Sequence, residues 1–237
     1  MVLTIQNLSK TYKGGKKAVD NLSLTVNAGD IFGFIGHNGA GKSTTIKSIV
    51  GVLDFEEGDI LIDGHSVKKE PLLCKQMMAY VPDNPDLYEH LTGIQYLNFI
   101  GDIFRVKKEE REAEIARYAD EFDLTGNLGD LISSYSHGMK QKLALISALM
   151  HKPKLIICDE PFVGLDPKAV FAVKEIMRRL CGEGCAVFFS THVLDVAEKL
   201  CNRVGIIRDG KLVACGSMEE VRGNESLEDV FMELIEQ

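Results

Sequence analysis

The 237-residue chain contains no apolar run approaching the ~20 residues that a membrane-crossing helix needs. Its opening, "MVLTIQNLSKTY", lacks the long apolar stretch of a secretory signal, so a cytoplasmic chain is expected. Positive charge is not in excess either: 27 Lys and Arg stand against 35 Asp and Glu, a net charge of −8. The short basic runs "GGKKAV" and "RVKKEERE" are offset by acids and read as solvated surface. No nucleic-acid partner is expected. Clustered cysteines are missing too. Cys74, Cys158, Cys181, Cys185, Cys201 and Cys215 are scattered, several of them in apolar runs, and read as reduced core thiols. Cys181 and Cys185 flank "GEG", but no second Cys or His pair stands nearby at ligand spacing. There is no internal repeat, no low-complexity tract and no long heptad run.

What remains is an ordinary globular composition, with 45% hydrophobic residues and enough length for a sizeable core. Two alternating segments, "LTIQNL" and "AVDNLSLTV", read as strands joined through a turn at Gly14-Gly15. "DIFGFI" reads as a buried parallel strand, followed at once by a glycine-rich loop and a helix over Lys42 to Val50. "GDILIDG" and "MMAYVP" are further strands, the second stopped by Pro82. From Thr92 to Met150 the strand signal nearly vanishes. Thr92 and Gln95 form a capping box that opens a helix through Phe104. "KKEEREAEIARYADEFDL" is a charged amphipathic helix, and a third helix follows "SYSHG". Strand and helix then alternate again through "KLIICDE", "PKAVFAVKEIMRRL", "CAVFFSTH" and "VLDVAEKL". A hairpin turns at Asp209-Gly210, and short helices finish the chain. The pattern predicts an α/β fold with a mainly parallel sheet, an N-terminal antiparallel region and an inserted helical subdomain. The expected division is one domain over residues 1–237. Its core is 1–85 with 152–216, its helical part 86–151, and its closing helices 217–237.

"GHNGAGKST" fits the G-x-x-x-x-G-K-[ST] phosphate loop at every fixed position. Glycines there let the backbone wrap phosphate closely and turn its N–H groups inward. Gly36, Asn38, Gly39, Ala40, Gly41, Lys42, Ser43 and Thr44 are the candidate nucleotide-binding residues. Lys42 suits the β- and γ-phosphates, and the Ser43 hydroxyl suits Mg²⁺. A plain turn is the competing reading, but the preceding buried strand and following helix supply the context this loop requires. "LIICDE" delivers Asp159 and Glu160 at a strand end, where open parallel sheets bind ligands. Asp159 can hold Mg²⁺ and Glu160 can polarise an attacking water. His192 stands just past "FFST" and is expected beside the γ-phosphate. A second helix start, Ser136-His137-Gly138, also looks fit for an anion.

Taken in order, these motifs resemble the nucleotide-binding subunit of an ATP-binding cassette (ABC) transporter, from about Leu3 to the C-terminus. "YSHGMKQ" stands at the family's signature, usually LSGGQ, and "GLDP" matches the loop after Glu160. The resemblance implies an ATPase with ATP and Mg²⁺ as cofactors, and Lys42, Glu160 and His192 as catalytic residues. It implies Tyr12 stacked on adenine, a tyrosine packed at a strand end being the other reading. It adds Asp83 to Ser43 and Asp159 as a metal-site residue. It also implies a head-to-tail pair of cassettes, formed with a second copy or a homologous cassette. Ser136 and the amides around Gly138 would then meet the partner's nucleotide. The other implied partner is a separate integral membrane permease, with this chain at the cytoplasmic face of the membrane. The ending "SLEDVFMELIEQ" and "YSHGMKQKL" resemble ABC-2 type exporters. Two departures stand out: His137 and Met139 replace glycine and glutamine, and Asp83 replaces the usual glutamine. Aspartate is also an oxygen ligand, one methylene shorter and charged. The alternatives are a soluble cassette ATPase acting on ribosomes or DNA, and a small-metabolite kinase. The single phosphate loop speaks against the first, and the signature-like helix start and His192 against the second.

Overall fold

The computed structural model describes residues 1–236, with side chains through Ile235. Two sheets organise it. In the first, β1 (Leu3–Thr11) and β2 (Lys17–Val26) run antiparallel, and β4 (Glu57–Ile62) pairs with β1 on its other edge. A two-residue strand, β5 (His65–Ser66), completes the order β2-β1-β4-β5. Alternation drives this sheet: Leu22, Leu24 and Val26 are buried while Asn21 and Ser23 are exposed. The β1–β2 register shifts near Asn7 and Asn21, both with φ close to +50°. Asparagine enters that left-handed region more readily than most residues.

The second sheet has the order β10-β9-β3-β8-β7-β6. Its parallel members are β3 (Ile31–Ile35), β6 (Met78–Val81), β7 (Leu155–Asp159), β8 (Ala186–Thr191) and β9 (Arg203–Arg208). β10 (Lys211–Ser217) returns antiparallel to β9 around Asp209-Gly210. Every residue of β3, β7 and β8 is buried, which is why they read as unbroken apolar runs. Side chains still alternate between two cores. Phe32, Phe34, Ile157 and Phe188 pack with the antiparallel sheet, and Phe32 and Phe188 stack at 5.5 Å between ring centroids. Ile35, Ile156, Val187 and Phe189 face the other way, into a core shared with the helices.

Helix α1 (Lys42–Ile49) follows β3, and α2 (Pro71–Met77) precedes β6. Three helices fill the interval between β6 and β7: α3 (Gly93–Ile103), α4 (Lys108–Glu121) and α5 (His137–Leu149), with 3₁₀ turns at Thr125–Asn127 and Ile132–Ser134. The capping box at Thr92 and Gln95 forms as expected. α6 (Pro167–Gly182) and α7 (Leu194–Leu200) follow β7 and β8. The chain closes with α8 (Met218–Arg222) and α9 (Leu227–Glu236). The sequence reading assigns nothing where α2 forms. That helix has only seven residues and a 77% exposed Leu72, so it carries no apolar repeat to recognise.

The strand order positions the site. β8 lies between β3 and β7, and β6 lies beyond β7. The carboxyl ends of four parallel strands therefore meet: Ile35 pairs with Thr191, Asp159 with Ser190, and Val81 with Cys158. The loops that follow those ends carry the phosphate loop, His192, Glu160 and Asp83.

Candidate functional site

A cleft of about 340 Å³ opens at these strand ends. Tyr12, Asn38, Gly39, Gly41, Lys42, Ser43, Thr44, Asp83, Asp159 and Glu160 line it. Lys16 and Ala18, from the β1–β2 turn and β2, line it as well. Ten of the residues expected from sequence thus share one cavity, although they come from four separate segments. Gly36 and Ala40 of the same loop are buried and do not line the cleft. The Gly36 carbonyl accepts from Lys42, and the Ala40 carbonyl accepts from the Gly210 amide at 2.8 Å.

No side chain caps α1; its N-cap is Gly41 at φ 115°. The amides of the first turn are left for an anion, and the helix dipole favours negative charge there. Gly41 has to be glycine: a Cβ would stand 2.5 Å from the Ala18 carbonyl oxygen. Lys42 is buried, and its Nζ donates to Gly36 O at 2.6 Å and His37 O at 3.2 Å. Burial lowers its pKa, and the charges of Glu160 and Asp159 partly oppose that shift. Tyr12 is 42% exposed, and its hydroxyl shares a 3.2 Å hydrogen bond with the Thr44 hydroxyl.

Asp159 is buried, and its Oδ1 accepts a hydrogen bond from the Ser190 hydroxyl. Glu160 turns away in a left-handed conformation, φ 50°, that non-glycine residues rarely adopt. Its N–H donates to both the hydroxyl and the carbonyl of Ser190, each at 3.2 Å. Its Oε1 lies 2.8 Å from His192 Nδ1. An ionised carboxylate only accepts, so Nδ1 carries the hydrogen in that pair. His192 is thus held beside the cleft through Glu160 and is not part of the cleft's own lining.

Ser43, Asp83 and Asp159 all line the cleft and carry hard oxygen donors. Among the described residues no group of three or more His, Cys, Asp or Glu forms a ready metal cage. Mg²⁺ normally takes one or two carboxylates and completes its shell with water and substrate phosphate, so this donor set fits it.

Ser136 and Gly138 do not line this cleft. Ser136 N-caps α5, accepting from the Met139 amide at 3.3 Å. Gly138 packs on the loop after β7, where a Cβ would stand 2.8 Å from Gly164 O. The His137 ring covers Gly164, whose own Cβ would meet it at 2.3 Å. The N-terminus of α5 is therefore capped by its own Ser136, exposed at Ser136 and His137, and separate from the cleft that the phosphate loop lines.

Two polar residues at the site were not singled out from sequence. Ser190 is fully buried; its hydroxyl donates to the Asp159 carboxylate and accepts from the Glu160 backbone N–H. Gln141 of α5 is fully buried and reaches Pro82 O, next to Asp83, at 3.5 Å. Each was signalled only as a polar residue in an apolar run, "FFST" and "KQKLALI".

Comparison with known proteins matches residues 19–163 to the ABC transporter family. An uncharacterized ABC transporter ATP-binding protein of Bacillus subtilis, YhcH, is 35% identical over 237 residues, covering all of this chain and 76% of that protein. The linearmycin resistance ATP-binding protein LnrL of the same organism is 36% identical, covering 93% of this chain and 70% of that protein. A solved ATP-binding subunit of an ABC transporter superposes with a TM-score of 0.95 at 33% identity, covering 99% of both chains. A dimeric cassette in a post-hydrolysis state with ADP and Pi shares the fold, with a TM-score of 0.83 at 24% identity over 91% of this chain and 98% of that one. The chain belongs to the ABC transporter family: it is an ATP-binding cassette of the P-loop NTPase fold, and an ATPase.

Proposed function

We propose that this cassette is the motor subunit of an exporter, pairing head to tail with a second cassette and driving a separate membrane permease. The observation that carries the reading is the separation of two helix starts. One, at Lys42, shares a cleft with Asp159 and Glu160; the other, at Ser136, is exposed and does not line that cleft. A second cassette would bring its Ser136 end onto the γ-phosphate held by the first. ATP then joins the two chains, because both helix ends attract its charge.

Within one site, the α1 amides and Lys42 hold the β- and γ-phosphates, and Tyr12 takes the adenine. Ser43, Asp83 and Asp159 would hold Mg²⁺, which when bound offsets the phosphate charge. Glu160 is the general base. His192 engages its Oε1, leaving Oε2 for the attacking water. Water attacks the γ-phosphorus as its proton passes to Glu160, the bond from that phosphorus to the bridging oxygen of ADP breaks, and ADP and phosphate leave as the pair opens. The left-handed turn at Glu160 costs of order 1 kcal/mol, which the two Ser190 hydrogen bonds and the His192 contact offset.

Among the described residues no helix is long and apolar enough to cross a membrane. One exposed surface supports the permease. An apolar groove of about 320 Å³, lined by Val50, Val52, Tyr80, Tyr96, Ile100 and Phe104, runs between α1 and α3. Tyr88, Phe99 and Ile103 extend it as an exposed patch, with Tyr88 and Phe99 in edge contact at 5.5 Å. Contiguous exposed apolar surface of this kind marks an interaction site. Export is favoured by the ABC-2-like signature and C-terminus, and by a relative named for linearmycin resistance.

The test is purification from detergent-solubilised membranes of the source organism. The parent chain is expected to retain a multi-span membrane protein. The Phe99→Asp, Ile103→Asp double variant should lose that partner and still bind ATP. Co-sedimentation of the parent with ribosomes, and not with membranes, would favour the soluble-ATPase reading.

A further inference from the structure

Ser190 is a polar residue near the end of β8, fully buried beside Phe188 and Phe189. Its Cα pairs with Asp159 across the β7–β8 ladder. Its hydroxyl has one hydrogen and two lone pairs. The hydrogen goes to Asp159 Oδ1, and a lone pair accepts the Glu160 N–H at 3.2 Å. One side chain thus ties the Asp159 carboxylate to the backbone amide of Glu160 at the strand end. We propose that Ser190 is a positioning residue for ATP hydrolysis, fixing Asp159 and Glu160 as a single unit. The inference rests on the roles given above to those two carboxylates and extends them.

Two physical consequences follow from removing the hydroxyl. Asp159 Oδ1 is buried and loses its donor, so the carboxylate is free to rotate away from the Ser43 and Asp83 side of the cleft. Glu160 loses one of the two bonds that hold its amide while its backbone sits at φ 50°. Relaxation of that turn swings the carboxylate that His192 and the attacking water share. A displacement near 1 Å costs on the order of 10²-fold in rate without removing any catalytic group. Binding of the nucleotide depends mainly on α1 and Lys42, which Ser190 does not touch. The expected signature is therefore a loss in kcat with KM nearly kept, a split that simple unfolding does not produce.

The experiment compares Ser190→Ala, Ser190→Thr and Ser190→Cys with the parent. Ser190→Ala is expected to lower kcat by roughly 10- to 100-fold and to leave KM for ATP within about threefold. Binding of a fluorescent ATP analogue, read without turnover, should need more Mg²⁺ to reach half-saturation. Ser190→Thr restores the hydroxyl and should recover kcat to within about threefold of the parent. Ser190→Cys fills nearly the same space with a weak donor, so it should be slow like the alanine variant; it decides the matter if alanine fails to fold. A kcat within about twofold of the parent for a folded Ala or Cys variant would overturn the proposal. So would a folded Thr variant as slow as Ala. Glu160→Gln separates the two levels. If it turns over at the parent rate, the roles of the carboxylates themselves are wrong. If it is slow while Ser190→Ala is fast, only the inference about Ser190 fails.

Discussion

Lys42→Ala should leave no measurable ATP hydrolysis. The parent ammonium is already buried at the mouth of α1, held by the Gly36 and His37 carbonyls and within the field of Asp159 and Glu160. Desolvation has therefore been met in the folded chain, and the charge meets phosphate without reorganising. Alanine removes that charge and leaves the two carboxylates facing an anionic substrate without it. A hydrogen bond to a charged group is worth about 2 kcal/mol, so ATP affinity should fall by roughly 30-fold or more. Hydrolysis suffers further, since charge on the transferring phosphoryl group is stabilised chiefly by such fixed charges. Isothermal titration of ATP and phosphate release from the same preparation check both parts. Parent-rate hydrolysis by this variant would mean the phosphate-loop assignment is wrong.

Glu160→Gln should bind Mg·ATP and turn over slowly. The amide keeps the size and the contact to His192 but cannot accept the proton of the attacking water. Loss of a general base typically costs about 10²–10⁴-fold. Single-turnover hydrolysis, with the permease present if the isolated cassette is idle, measures it. A loss under about tenfold would move the role of base away from Glu160 and toward His192.

The parts of the site that were legible in sequence share a property: their chemistry is written into contiguous residues. The phosphate loop needs glycines and a lysine at fixed spacing, and "GHNGAGKS" carries them all in order. Asp159 and Glu160 announce themselves as acids at the end of an apolar strand. The parallel sheet was legible because β3, β7 and β8, buried on both faces, have no polar alternation to confuse with a helix. What was not legible depends on distant pairing. Ser190 is 31 residues from Asp159, and Gln141 is 59 from Pro82. Only the strand order β3-β8-β7-β6 brings such pairs together, and no local pattern records that order. The packing of His137 on Gly164 is of the same kind. The departure of His137 from the usual glycine is visible in sequence; the glycine that makes room for its ring is not. α2 escaped for a different reason. Its burial rests on Cys74 alone, too little to set a helical period.

The central claim is that the Ser136 end of α5 acts on the nucleotide of a second cassette and not on its own. The direct measurement is size-exclusion chromatography with light scattering on Glu160→Gln protein in Mg·ATP, with and without Ser136→Arg. The slow single variant should accumulate a particle of twice the 26.2 kDa chain mass. Arginine at Ser136 would block the close approach of α5 to the facing γ-phosphate by its bulk. The double variant should stay monomeric and yet bind ATP with the affinity of the single variant, because Lys42 and the α1 amides are untouched. A double variant that dimerises normally, or a Ser136→Arg monomer that no longer binds ATP, would contradict the account.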